Sequence, residues 1–228
     1  MDSRALILKK AAELLAESPT GDVSTRGVCE AAGVTQPVLY RLFGDKDGLM
    51  AAVVDQVWGE YLAVKRSAGR SADPLEDLLR GWDNHTAFAL SHPHAYRLLF
   101  GTALANRSEA ASEAMGFLRE VLDRLAEQGR LRIAPDEAAR IVMAANSGVA
   151  LGLLLRPESF PDLSISAITR DATVRAILAD PPGSADEAPG IAATTLRAFV
   201  TAFDVFSPSE AGLLNEWLER VQKWHKPG

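Results

Sequence analysis

The chain has one cysteine, Cys29, in 228 residues. A lone thiol excludes an intrachain disulfide and fits a reducing compartment such as the cytosol. Long apolar runs are missing as well. The longest, residues 149–155, is too short to span a bilayer, so no membrane association is expected. Met1-Asp2-Ser3-Arg4 leads into an amphipathic stretch, and no signal peptide is expected. Positive charge is not in excess: 24 Lys and Arg face 30 Asp and Glu, a formal net charge of −6. That balance argues against binding nucleic acid nonspecifically over the whole surface. No H-E-x-x-H, paired C-x-x-C, P-loop or G-x-S-x-G occurs. His92 and His94 flank Pro93 in an apparent helix break, and His85 and His225 are remote from them in sequence. No metal and no cofactor is therefore expected, and an enzymatic reading has no constellation behind it. Alternating strand patterns of useful length are also absent. What is present is helical periodicity, in a chain 47% hydrophobic that can bury a core in one large or two small domains.

Residues 23–50 carry the most information. Ser24 is a good N-cap for a short helix with Val28, Ala31 and Ala32 on its apolar face. Gly33 closes that helix, as a residue able to take a left-handed backbone. Thr35 is expected to cap a second short helix, with Pro37 in its first turn and Val38, Leu39, Leu42 and Phe43 as anchors. Cys29 reads as a small packed thiol rather than a reactive one. Helix, glycine turn and short helix is the helix-turn-helix arrangement, whose second helix enters a DNA major groove. Ser24, Thr35, Tyr40 and Lys46 are spaced to offer hydroxyls and an ammonium to phosphates, which fix register without reading sequence. Arg26, Gln36 and Arg41 suit base edges, and the carbons of Pro37 and Val38 suit a thymine methyl. Residues 1–50 hold six Lys and Arg against seven Asp and Glu. The motif, and not bulk charge, therefore carries the DNA reading.

At these residues the chain resembles the tetracycline-repressor-like (TetR) family of bacterial transcriptional regulators. The family's head runs as a capped helix, Ala-Gly-Val-Ser/Thr, a recognition helix with Leu-Tyr, an aromatic residue, then Lys before a leucine-led long helix. Those parts occur in order over about residues 4–55. Ser24-Thr25-Arg26 and Gln36-Pro37-Val38-Leu39-Tyr40 are especially similar to the family's founder. Leu42 stands where a polar residue is usual. The resemblance implies base contacts from Arg26, Gln36, Pro37 and Val38, with Tyr40 and Lys46 on phosphates. It also implies an all-α fold: a three-helix DNA-binding domain followed by a helical ligand-binding and dimerisation domain.

Upstream, residues 4–18 form a helix with Ala5, Leu8, Ala12 and Leu15 on one stripe. Downstream, Asp45 caps a helix running to about residue 67, with Leu49, Ala52, Val53, Gln56, Val57, Tyr61 and Val64 along it. The expected division is residues 1–50 and 51–228, with helix 45–67 as connector and residues 69–73 as the best break in composition. Further helices are expected at 74–90, 95–104, 108–128, 135–155, 165–179, 191–206 and 209–224, with a loop over 181–190. Trp82, His85, Tyr96, Phe100, Phe117 and Asn146 fall on consecutive helices and are the candidate small-molecule pocket, since apolar rings around a few polar groups suit one. The bland alternative is an ordinary helical core. Ala138, Ala145, Gly148 and Gly152 leave a groove of small residues for another helix, internal or from a second copy. The resemblance favours a dimeric four-helix bundle built from 135–155 and either 165–179 or 191–206. The leading expectation is a homodimeric repressor that binds a palindromic operator in double-stranded DNA and is released by a small apolar or aromatic effector. The rivals are a DNA-binding regulator without an effector and, from another class, an all-α enzyme.

Overall fold

The computed structural model describes residues 2–67, 69–101, 109–179, 188–202 and 204–223. The elements are α1 (Ser3–Glu17), α2 (Thr25–Ala32), α3 (Gln36–Phe43), α4 (Lys46–Ser67), α5 (Pro74–Ser91), α6 (Pro93–Gly101), α7 (Glu109–Glu127), α8 (Pro135–Leu155), α9 (Ser164–Ile177), α10 (Ala188–Phe199) and α11 (Pro208–Gln222). The fold is all-α, and the described residues form no strand beyond an isolated antiparallel bridge between Leu131 and Leu178.

Local signals set the ends of the early helices. Ser24 Oγ accepts from Gly27 N at 3.0 Å and opens α2. Gly33 ends it with φ at 64°, a left-handed backbone that a Cβ would strain. Asp45 Oδ1 accepts from Gly48 N at 2.5 Å and opens α4. The expected Thr35 side-chain cap is not made. Pro37 brings no N–H, and the Thr35 carbonyl itself accepts from Val38 and Leu39 N at 3.0 and 3.2 Å, so little is left for the hydroxyl to satisfy. At the other end, Ser207 caps α11. Glu210 Oε2 accepts from Ser207 N at 2.9 Å and Ser207 Oγ accepts from Glu210 N, a capping box. The helix expected at 191–206 starts at Ala188, leaves α-geometry after Phe199 and runs on as a 3-10 turn, Val200–Ala202. Residues 102–104, most of the loop at 181–190 and His225 lie outside the described residues.

By packing, the chain forms two compact units. One comprises residues 1–69, 85–114 and 150–161; the other comprises 70–84, 115–149 and 162–228. α4 runs unbroken through residue 50. In the first unit, α1 buries Ile7, Leu8, Ala11 and Leu15, α2 buries Val28, Cys29 and Ala32, and α3 buries Leu39. Ala5 and Ala31 are exposed and Ala12 is half-buried, so both expected stripes are rotated by about one residue. Leu49, Met50 and Val53 of α4 close this small core, and Leu98 of α6 packs on it. Further along α4 the buried side chains are Val54, Trp58 and Leu62, while Gln56 and Val57 are half-buried.

The second unit has its own core, with Leu78 and Trp82 of α5, Leu122 and Leu125 of α7, Ala138 and Val142 of α8 and Ile177 of α9. Asp77 holds the start of α5: its carboxylate accepts from Arg124 Nη1 at 2.7 Å and from Ser71 N at 3.1 Å. Burial opposes its ionisation, yet these donors outweigh burial and hold the carboxyl below its usual range. α10 and α11 pack together, with Gln222 donating to Thr194 Oγ1 at 2.6 Å and accepting from Arg197 at 2.7 Å. The expected groove of small residues is not one surface. Ala138 is buried in the second core, a Cβ on Gly152 would meet the Phe160 ring at 2.8 Å, and Gly148 has open space. By length and composition α8 is apolar enough to cross a membrane; Ala138, Ala139 and Val142 place part of that surface in the core instead.

Candidate functional site

The α2–α3 pair presents one apolar and one polar side. Leu39 is fully buried, with Leu42 and Phe43 packed on the same core, so the opposite face of α3 turns outward. Leu42, in a position usually polar, is thus a packing residue here. Gln36, Pro37 and Arg41 are exposed, Tyr40 is 41% exposed, and Val38 is half-buried. Thr25 Oγ1 and Tyr40 Oη lie 3.4 Å apart, which ties the start of α2 to the outer face of α3. Thr35 is exposed with its hydroxyl free of any cap. Ser24 spends an oxygen lone pair on the Gly27 N–H, and its own hydroxyl proton is still available to a phosphate.

The two cations that matter most already have partners. Arg26 Nε donates to Glu30 Oε1 at 2.9 Å, and Lys46 Nζ donates to Asp22 Oδ1 at 2.5 Å. The Lys46 hydrogen bond and charge hold the Asp22 carboxyl below its usual range, and the Glu30 hydrogen bond raises Arg26. Both pairs are exposed, so each is worth little.

Of the six candidate pocket residues, His85, Tyr96 and Phe100 meet in the first unit. His85 Nε2 and Tyr96 Oη are 2.7 Å apart, and the Tyr96 and Phe100 rings stack at 4.6 Å. Trp82, Phe117 and Asn146 belong to the second unit. There Asn146 Nδ2 donates to the Trp82 carbonyl at 3.1 Å and Trp82 Nε1 donates to Ser166 Oγ at 3.0 Å; Phe117 is half-buried on α7. Sequence reasoning missed the centre of the first group. Trp58 is fully buried, 4.6 Å from Phe88 and 5.7 Å from both His85 and Phe100, ring centre to ring centre. Tyr61 sits edge-on to it at 5.6 Å, and Lys65 Nζ lies 5.8 Å from the Tyr61 ring centre. Trp58, Tyr61 and Lys65 fall at i, i+3 and i+7, a helical spacing that the sequence does contain. His92 Nδ1 lies 2.9 Å from Ser91 Oγ, and His94 packs beside Gly21, where an added Cβ would meet its Nδ1 at 2.7 Å.

Burial, helped by the Lys65 charge, pushes the His85 pKa down to about 3. The folded protein therefore refuses a proton that the unfolded chain accepts near pH 6.5. Between those two values the unfolded state binds more protons, so stability falls as pH falls. His94, also lowered by burial, acts in the same sense. Acidification from pH 7 to 5 should cost native protein about 2 kcal/mol more than it costs His85→Gln. Urea midpoints at the two pH values check this, and equal losses in both proteins would remove His85 as the cause.

Residues 7–53 match the family model of bacterial regulatory proteins of the tetR family. Residues 78–154 match that of the tetracyclin repressor-like C-terminal domain. Together they span more than half of the chain, which belongs to the TetR family; its members are transcription regulators rather than enzymes. Solved structures share the fold. One is a TetR-family transcriptional regulator from Pectobacterium atrosepticum, 23% identical with a TM-score of 0.63, covering 78% of this chain and 95% of that one. Another is NalD, the secondary repressor of the MexAB-OprM multidrug efflux pump in Pseudomonas aeruginosa, at 22%, 0.56, 78% and 96% by the same measures. At these identities the likeness is one of fold.

Proposed function

We propose that this regulator is a homodimeric repressor that binds a palindromic operator and is released by a small apolar or aromatic effector. The observation that carries the DNA part is the outward face of α3, where Gln36, Pro37, Tyr40 and Arg41 are exposed while Leu39 fastens the opposite face to the core. Residues 1–50 are the DNA-binding part, with Ser24, Thr25, Thr35, Tyr40 and Lys46 on phosphates and Arg26, Gln36, Pro37, Val38 and Arg41 at base edges. Residues 51–228 serve ligand binding and dimerisation. Repression is supported by the likeness to NalD, itself a repressor.

For the dimer, α8 offers an exposed apolar stripe of Ile141, Ala144, Gly148 and Leu155. α10 adds the exposed Leu196 and Phe199, whereas Ile168 is the one large exposed apolar side chain among the described residues of α9. That difference favours α8 with α10 as the paired helices. For the effector, the cluster of His85, Tyr96 and Phe100 is the seat. A regulator without an effector is the second reading, favoured by ring spacings of 4.6–6.0 Å around Trp58, close enough for a filled core.

Footprinting with salt titrations on operator and random DNA tests the proposal. A dimer should protect an inverted repeat whose half-sites lie about one helical turn, roughly 34–36 Å, or a multiple apart. Lys46→Ala should weaken binding to all sequences and flatten the salt slope by about one unit. Gln36→Ala should cost about 1–3 kcal/mol on the operator and relax discrimination at one base pair. A monomer at micromolar concentration protecting a single unrepeated half-site would refute the dimer. An altered base preference in Lys46→Ala alone would invert the assigned roles.

A further inference from the structure

The buried stripe of α1 continues past the core as a cation. Ile7, Leu8, Ala11 and Leu15 are buried, and Arg4 stands three and four residues ahead of the first two, on the same side of the helix. An arginine at such an edge lays its stem along apolar surface and keeps its charge in water. Arg4 is exposed, and its guanidinium carbon lies 5.4 Å from the centre of the Phe43 ring. Phe43 ends α3 and is half-buried against the core of the DNA-binding head, so the ring is a fixed seat. It follows Tyr40 by three residues, which makes the two neighbours on the surface of α3, and it precedes Lys46 by three. Asp2 holds the first turn of α1 in place, its carboxylate accepting from Arg4 N at 3.3 Å.

Resting on the reading of α2 and α3 as the DNA-binding part, we infer that Arg4 is a further phosphate contact, gripping the DNA backbone beside the C-terminal end of α3. The N-terminal residues of a recognition helix reach base edges, and its far end comes out toward the sugar-phosphate wall of the groove. A guanidinium there presents a fork of N–H donors that fits two phosphate oxygens. The ring attracts the cation through its face and takes none of that fork in ordinary hydrogen bonds. Charge points the same way. Lys10, Arg26 and Lys46 have Glu13, Glu30 and Asp22 beside them at 2.7, 2.9 and 2.5 Å, so a carboxylate offsets each in the field that a phosphate feels. A ring contact offsets no charge. The contact reads no base and acts on every DNA sequence.

The test is fluorescence anisotropy of the full chain on a random-sequence duplex and on the footprinted operator across a salt series, with thermal melts of each variant. Arg4→Gln should flatten the salt slope by about one unit on both DNAs and weaken binding roughly fivefold to tenfold at about 0.1 M salt. Its melting temperature should fall by no more than about 4 °C, the scale of one exposed cation–π contact. Arg4→Lys should keep the slope. Lys9→Gln removes the same charge from the same helix, about 140° further round, and should leave the slope as it is. An unaltered slope in Arg4→Gln would overturn the inference, and a one-unit loss in Lys46→Ala alongside it would leave the DNA reading standing. Equal losses in Arg4→Gln and Lys9→Gln would overturn it in favour of bulk charge. Weaker binding at an unchanged slope with a much lower melting temperature would reduce Arg4 to packing, and a changed preference at one base pair would make it a base contact. Salt-independent binding by native protein would overturn the DNA reading and this inference with it.

Discussion

Trp58→Ala should destabilise the protein by about 3–5 kcal/mol, the range for removing a large aromatic side chain from a core. The ring is fully buried, and the rings of Tyr61, His85, Phe88, Tyr96 and Phe100 all lie within 6.0 Å of it, centre to centre. Three helices, α4, α5 and α6, lose their common contact when it goes. Collapse into the space is limited, because the neighbours are themselves stiff rings with few rotamers to explore. Trp58→Phe should cost much less, on the order of 1–2 kcal/mol, because most of the ring remains and the deleted N–H has no partner to lose. Guanidinium unfolding of both variants measures the difference. If the alanine variant came within about 1 kcal/mol of native protein, the cluster would not be a packed core.

Gly48→Ala should abolish tight operator binding. A Cβ built on Gly48 would stand 2.1 Å from the Phe43 carbonyl oxygen and 3.2 Å from Asp45 Oδ1. A backbone oxygen cannot turn aside as the end of a side chain can. Phe43 is the last residue of α3, so the clash is relieved only by moving α3 against α4. The same methyl disturbs the Gly48 N–H to Asp45 bond that opens α4. We expect a loss of roughly a hundredfold in operator affinity, equivalent to one or two base contacts. Stability should fall by about 1–3 kcal/mol through overpacking. Gly59→Ala supplies the contrast on the same helix. No atom lies within 4 Å of its added Cβ, and replacing a helical glycine should raise stability by about 0.5–1 kcal/mol. Operator titration and thermal melts of both variants decide the matter. Native-like operator binding by Gly48→Ala would show that the turn yields without displacing α3.

Ser24, Gly33, Pro37 and Asp45 determined the helix-turn-helix by themselves. Each acts on backbone within three or four residues, through a cap, a left-handed turn or a fixed φ, so their effect is readable without knowing what packs where. The apolar periodicity likewise determined that every later segment is a helix, and α8 has the expected bounds. Tertiary structure decided which face of each helix goes inside. In α4 the buried set passes from Leu49 and Val53 to Val54, Trp58 and Leu62, because the first turns pack on α1 and α3 and the later ones on α5 and α6. A long helix whose neighbours change has no single stripe for a periodicity to reveal, so Trp58 was hidden. Tertiary structure also decided which polar groups are satisfied. Asn146 and Trp82 found each other and Ser166, His85 found Tyr96, and Trp58 and Tyr61 found no partner. A donor's satisfaction depends on atoms that other helices bring within about 3 Å, and spacing along one helix does not contain that distance.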